Sequence, residues 1–449
     1  MENYGLIYVS GELKRLGCSI GWIDGESDPF PIQELLRLNP EYAFFSPMTY
    51  SFRKSVELCQ IIKEALPSVK TIFGGHHVSS VPEDSHIDSI DYTVIGPVYG
   101  TLEKIFNGDS PKLIQGRQGR AEEITPSRVE YYEDIQKMKK QPIRYIMSHY
   151  GCQFNCSYCS ASRVRSLYGH EEYKMTFLKR RPAKDLIEES LFFLKDPPRE
   201  VFLADDDCLQ GDDAEEWLEA FASLWKEKIG LPITTYMSPF SLSKASNSLM
   251  KIVASLFPFV NMGVQSLNNK TLKFFNRSFQ TEDMIHKAIG RLRDFGIRAR
   301  LELIFGAPVG DPVEDALYSL KRMQEIAPDF YCAAYALLIF PGTALYNKFQ
   351  NEGIRFSDPK SPFIHSGYTS VLYDKKTMEK IRKLTKLSHL FVSHKIDIRY
   401  MRALLELDMD DNSAFDISKA NFFISQRYKY GEEGEKLAEE RMRNMEFYY

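Results

Sequence analysis

Residues 151–160 read GCQFNCSYCS, and three of them are cysteines: Cys152, Cys156 and Cys159. The spacing is C-x3-C-x2-C, with Tyr158 directly before the last thiol. Three closely spaced thiolates can hold three irons of a cubane [4Fe–4S] cluster and leave the fourth without a protein ligand. Four cysteines close a cluster for electron transfer, whereas three leave a coordination position for a substrate or cofactor. Two plainer readings stay open at this point: stray structural thiols, or a zinc site completed by His149 just upstream. Zinc usually takes paired CxxC spacing and a fourth nearby ligand, so the flanking sequence has to decide.

Working outward, RYIMS (144–148) reads as a short strand, so the thiol loop follows a strand end. Further strands are expected at EVFLAD (200–205), PITTYM (232–237), VNMGVQS (260–266), RARLELIFG (298–306) and YCAAYALLIF (331–340), with a helix fitting between neighbours. The spacing and its place in the chain resemble the radical SAM superfamily over about residues 140–345. The resemblance implies a partial (β/α)6 barrel with its chemistry at the C-terminal strand ends, as in full barrels. It also implies that S-adenosylmethionine (SAM) chelates the open iron through its amino and carboxylate groups. One electron from the reduced cluster then breaks the C5′–S bond, and the 5′-deoxyadenosyl radical abstracts hydrogen from an unactivated carbon. The protein positions the cofactor and excludes water. An external one-electron reductant of flavodoxin or ferredoxin type is expected.

The resemblance carries over to particular residues. In ADDDCLQ, Asp205, Asp206 or Asp207 would accept hydrogen bonds from the methionine ammonium, or merely cap the next helix. In NMGVQSLNNKTLKFFNR, Gln265 and Ser266 would contact the ribose or methionine, and Arg277 the carboxylate. Gly306 in LIFGAPVGD would let the backbone approach the adenine, and backbone groups at Leu338 or Ile339 would hold it. Tyr158 would pack beside the cluster. Cys208 is a candidate catalytic hydrogen donor to a product radical, or a small buried apolar residue. Tyr236, Tyr335 and Asp205–Asp207 would line the barrel mouth.

Residues 1–110 alternate helix and strand and predict a doubly wound, Rossmann-like parallel sheet. GLIYVSGELKRLG is a helix closed by Gly17, and strands are expected at CSIGWID, YAFFSPMT, VKTIFGGHH and DYTVIG. The segment resembles the cobalamin-binding domains that precede many radical SAM barrels. That likeness implies corrinoid contacts at Ser46, Thr49, Gly74, Gly75, His76 and Gly96. It departs from the pattern in lacking a strand before the first helix, and in the acid-free turn Gly96-Pro97-Val98-Tyr99-Gly100. His86, in DSHIDS, reads as a surface residue, and His76 and His77 suit polar contact better than ligation to cobalt. Residues 111–141 are expected as a polar linker, 142–346 as the barrel, and 347–449 as a helical cap. In the cap, helices are expected over 375–408 and 412–446, and the loop RFSDPKSPFIHSG (355–367) could cover the mouth.

Composition narrows the partners. A formal net charge of −4 over 449 residues supplies no basic field for nucleic acid, which argues against a tRNA-modifying enzyme. No stretch reads as a membrane span or signal peptide. Of seven cysteines, Cys18, Cys59, Cys208 and Cys332 are scattered, so a disulfide framework is not expected and a reducing cytoplasm is. The expected substrate is a small molecule or peptide. C-methylation follows if cobalamin is bound; dehydration, epimerisation or oxidation follows if it is not. An electron carrier would not need six β/α units.

Overall fold

The computed structural model describes residues 2–25, 31–108, 110–116, 126–357 and 367–443. Short β-branched and aromatic runs, each followed by a helix, make the first sheet. Its strands are β1 (Tyr42–Phe45), β2 (Lys70–Phe73), β3 (Tyr92–Ile95) and β4 (Leu113–Gln115), all parallel and in chain order. Alternation splits the side chains: Ile72, Val94 and Ile114 pack with Leu13 and Leu102, while Phe73 joins Cys59, Val78 and Ile90.

Two expectations change here. CSIGWID is not a strand: residues 18–24 form no ladder, and β1 stands at the sheet edge. The segment is held by tertiary contacts instead, with the Trp22 N–H donating to Asp134 at 2.8 Å and its ring edge-on to Tyr131. The stretch 111–141 is not a bare linker, because Leu113–Gln115 pairs with β3 and Val129–Asp134 is helical.

The second sheet has six parallel strands in consecutive order: β5 (Ile143–Ile146), β6 (Glu200–Leu203), β7 (Ile233–Met237), β8 (Phe259–Gln265), β9 (Arg298–Phe305) and β10 (Tyr331–Ala336). These are the six strands expected from the sequence. On β9, Ala299, Leu301, Leu303 and Phe305 are buried in the main core, which leaves Arg300, Glu302 and Ile304 on the opposite, lumen-side face.

The C-terminal helices do not form a cap over the mouth. The expected helix 375–408 is broken into Lys375–Ser393 and Ile398–Glu406, and the second breaks at Gly431 into Asp411–Tyr430 and Glu432–Arg443. Ile381, Leu384, Phe391 and Val392 join the barrel core, so the first of these helices is part of the barrel wall. Asp411–Tyr430 lies under the strand starts. Lys429 meets Glu200 at 2.5 Å, Arg298 donates to the Tyr428 carbonyl at 2.9 Å, and Tyr331 donates to the Asn421 carbonyl at 3.2 Å. The amphipathic pattern revealed an apolar stripe but not which surface covers it. Of the expected covering loop, residues 358–366 lie outside the described residues. No described helix is long and apolar enough to cross a membrane.

The two sheets are joined by buried charge. Arg128 sits between Glu2 (3.0 Å) and Glu189 (2.6 Å), and Arg181 meets Glu189 at 2.8 Å. Gly96 marks a second junction. Its φ is +71°, and a Cβ there would stand 2.1 Å from the Tyr168 hydroxyl, which reaches the carbonyls of Ile95 (2.9 Å) and Gly116 (2.7 Å). Gly96→Ala should therefore cost about 2–4 kcal/mol, from left-handed backbone and overpacking together. Urea unfolding would register this as a lower midpoint at unchanged slope.

Candidate active site

The cysteine loop leaves β5 and is tied down from several directions. The Cys152 N–H donates to the Tyr173 hydroxyl at 3.0 Å, and the Gln153 N–H to the Gln210 side-chain Oε1 at 2.9 Å. Gln210 also donates to the Gly151 carbonyl at 3.0 Å. Ser157 N–H donates to the Phe275 carbonyl at 2.9 Å, and Phe154 stacks on Phe279 at 4.1 Å. Burial pushes the Cys152 thiol well up and Cys159 up to about 12, with the Asp206 carboxylate adding to both. Metal binding at these thiols must therefore release protons.

His149 cannot complete a zinc site as it stands. It is fully buried, with Nδ1 3.1 Å from Asp205 and Nε2 held by the Gln210 amide. Among the described residues, no group of three His, Cys, Asp or Glu side chains could hold one metal ion. A cubane instead spreads three cysteines over three different irons.

The three aspartates separate by direction. Asp205 is fully buried and accepts from the Ser148 N–H at 2.7 Å, with Arg180 at 3.5 Å. Its place is in the support beneath the loop, not at the SAM ammonium. Asp207 is buried and accepts from the Ser241 hydroxyl at 2.6 Å. Asp206 is exposed and its charge raises both Cys152 and Cys159; Asp207 also raises Cys152 but is buried, so Asp206 is the open carboxylate beside the cluster loop. Burial pushes Asp205 up, but His149, Arg180 and Ser148 outweigh it and hold the carboxyl below its usual range. Its stabilisation is complete above the unfolded value and is lost as pH falls through the lower folded value. Asp205→Asn should thus lose the steep final fall in stability below about pH 4, as followed by urea unfolding across pH.

Arg277 does not project freely toward a ligand. Its guanidinium donates to Cys156 Sγ at 3.1 Å, to the Tyr158 hydroxyl at 3.3 Å, to the Gly263 carbonyl at 3.1 Å and to Gln280 at 2.6 Å. Its buried Nε has no partner, which leaves one donor for an anionic ligand. Tyr158 packs edge-on against Phe275 at 5.0 Å, and burial lifts its hydroxyl well above the usual range. Hydrogen bonds to the sulfurs help set cluster potentials. Arg277→Met should accordingly lower the midpoint potential of the reconstituted cluster in an EPR-monitored titration.

Gln265 has φ +67°, at a register shift between β8 and β9. A non-glycine residue held there is strained, a feature that clusters at functional sites. Ser266 is buried and accepts from the Asn268 N–H at 3.0 Å, so it shapes the turn rather than meeting SAM. Gly306 (φ +90°) is accounted for by the chain itself, because a Cβ would stand 3.3 Å from Thr369 and its carbonyl accepts from Tyr373 at 3.1 Å. Ile339 N–H is taken by Ser370 at 2.7 Å. The Leu338 backbone has no hydrogen bond among the described residues and remains the candidate for adenine. Cys208 is fully buried in the hydrophobic core, where a donor could not reach a substrate radical.

In the N-terminal unit, the strand ends point at this loop. His76, just after β2, has Nε2 2.5 Å from Ser160 Oγ, the residue following Cys159. Met48 and Tyr50, after β1, are 45% and 38% exposed, and such an open apolar floor fits a flat macrocycle. Ser46 fills the space above Gly75, at 2.4 Å from a Cβ there, and Thr49 meets His77 Nδ1 at 3.2 Å. Gly74 has ordinary room, and Gly96 is covered by Tyr168. Ser46, Thr49, Gly75 and Gly96 therefore shape the floor, leaving His76 as the polar group expected from the sequence that lies open on it.

A three-thiol loop after the first strand of a six-stranded partial barrel, facing a Rossmann-like unit, defines an enzyme of the SAM-binding iron–sulfur class. The radical SAM superfamily profile matches residues 146–316, and the B12 binding domain profile matches residues 1–106. The chain thus carries a radical SAM domain preceded by a B12-binding domain, and the cofactors of these domains are the [4Fe–4S] cluster, SAM and cobalamin. No curated protein matches it.

Among solved structures, it is similar to the radical S-adenosylmethionine methyltransferase TsrM from Kitasatospora setae, solved with cobalamin and a [4Fe–4S] cluster bound. The identity is 14% over 98% of this chain and 97% of that one, with a TM-score of 0.67. It is also similar to OxsB, a cobalamin-dependent S-adenosylmethionine radical enzyme solved with aqua-cobalamin bound. There the identity is 13% over 99% of this chain and 73% of that one, with a TM-score of 0.65. These likenesses are of fold.

Proposed function

We propose that this enzyme transfers a methyl group to an unactivated carbon of a small molecule or peptide, using cobalamin as the methyl carrier. The observation that carries the reading is the contact of His76 with Ser160, which brings the strand ends of the B12-binding unit against the cluster loop. When bound, cobalamin supplies a methyl carrier and the cluster supplies single electrons to SAM. Cys152, Cys156 and Cys159 would hold the cluster. Asp206 would accept from the SAM ammonium, Arg277 Nε would donate to its carboxylate, and the Leu338 backbone would hold its adenine. Gln265 would meet the ribose or methionine. His76, Met48 and Tyr50 would lie beneath the corrin.

The chain's own contribution is orientation. The buried His149–Asp205–Gln210 support fixes the loop, and the helix at 411–430 packs under the strand starts at the far end of the barrel. The test is anaerobic reconstitution with iron, sulfide and hydroxocobalamin, followed by desalting and absorbance. Retained corrinoid beside the cluster bands is the expected result. A cluster without corrinoid would favour the second reading, a cobalamin-independent dehydratase, epimerase or oxidoreductase. That reading draws on the fact that Ser46, Thr49, Gly75 and Gly96 are engaged by the chain itself.

A further inference from the structure

The barrel interior holds charges that packing does not explain. Arg300 and Glu302 occupy lumen-side positions of β9 and pair at 2.7 Å, yet their side chains keep 33% and 14% of their surface open. An arginine in the middle of a barrel strand with a third of its side chain accessible borders an open chamber. Every protein hydrogen bond to Glu302 among the described residues falls on Oε1: Arg300 Nε at 3.0 Å and the Tyr335 hydroxyl at 3.5 Å. Oε2 is left for something else.

The walls are aromatic. Tyr145, Phe202 and Tyr236 follow one another around the interior, with ring centroids 5.7 Å and 5.1 Å apart. Tyr236 stands level with Arg300 across the sheet, since it pairs in register with Asn261 on β8, which in turn pairs with Arg300 on β9. The aromatic wall and the ion pair thus lie at one level of the barrel interior, on strands separated only by β8.

We infer that Arg300 and Glu302 form the head-group subsite for a zwitterionic substrate of the α-amino-acid type, its carboxylate on Arg300 and its ammonium on Glu302. The inference deepens the proposed function and rests on it for the identity of the site. The physical reason is pairing. A ligand with one charge would take one partner and strand the other, and an uncompensated charge in a low-dielectric chamber is strongly unfavourable. A zwitterion satisfies both at once. The rings of Tyr145, Phe202 and Tyr236 would then pack against an aromatic or aliphatic side chain and favour the ammonium electrostatically.

The test uses the cluster-loaded full chain and needs no turnover. The common L-amino acids are screened for protection against thermal unfolding, and calorimetry then compares the best one with its decarboxylated amine and its deaminated acid. At least one amino acid should protect, and each analogue should bind at least tenfold more weakly. Glu302→Gln, a near-isosteric change, should weaken the amino acid at least tenfold and narrow its advantage over the deaminated acid. Iron content and unfolding temperature of each variant check that it is folded. If Glu302→Gln does not fold, the analogue series on the wild-type chain decides alone. Protection by no amino acid, or equal binding of all three compounds, overturns the inference. Failure to retain corrinoid would count against the methyl-transfer reading and leave this result standing.

Discussion

Alanine at Cys152, Cys156 or Cys159 should bring iron content and SAM cleavage to background while leaving the fold intact. Each thiolate holds a different iron, so none of the three is spare. The loop would persist without them, because its backbone groups are held by Tyr173, Gln210 and Phe275, and only the Arg277 contact to Cys156 runs through sulfur. Far-UV circular dichroism should therefore be unchanged while the charge-transfer absorbance disappears. Cys208→Ala should behave differently. That thiol lies in the hydrophobic core away from the loop, so the loss should appear as modest destabilisation with the cluster retained. A Cys152→Ala protein that still cleaved SAM would remove the basis for the site.

Glu189→Ala should cost about 3–5 kcal/mol, the range for removing one partner of a buried ion pair. Glu189 accepts from Arg128 at 2.6 Å, from Arg181 at 2.8 Å and from the Tyr4 hydroxyl at 3.2 Å. All four side chains are buried. Removing the carboxylate strands the Arg181 guanidinium and takes one of two partners from Arg128, where the N-terminal helix meets the barrel. Arg128 keeps Glu2 as a partner, which should keep the loss inside that range rather than above it. Because the network spans both units, the variant should loosen their junction as well as lower the urea midpoint. Hydrogen exchange should rise together in Tyr4–Arg15 and around Glu189. Exchange confined to one of these segments would mean that the two units are not energetically joined there.

Much of this architecture is legible in the sequence. The six barrel strands and the first three strands of the first sheet stand out because each is a short apolar run bounded by turn residues, whereas Leu113–Gln115 reads as linker. What failed depended on partners distant in sequence. CSIGWID has strand composition, but a strand also needs a neighbour, and Trp22 is claimed by Asp134 and Tyr131 instead. Asp205, Asp206 and Asp207 are chemically identical, yet consecutive residues leaving a strand point to opposite sides. Register, which composition does not reveal, selects Asp206.

Tyr173 and Gln210 brace the loop; Tyr173 lies in no motif, and Gln210, at the end of ADDDCLQ, is overshadowed by the aspartates before it. Only their positions after folding single them out. Arg300 and Glu302 could have been found, since RARLELIF alternates charged and apolar residues, and a charged face on a buried barrel strand has to point inward.

The most direct test of the open iron is EPR of the reduced, reconstituted cluster with and without SAM. Chelation of the unligated iron by SAM should change the shape and g values of the signal in the wild-type chain. The change should persist in Glu302→Gln, whose altered side chain is assigned to substrate rather than to SAM. A cluster spectrum indifferent to saturating SAM would mean that all four irons are already closed, and the catalytic account would fall with it.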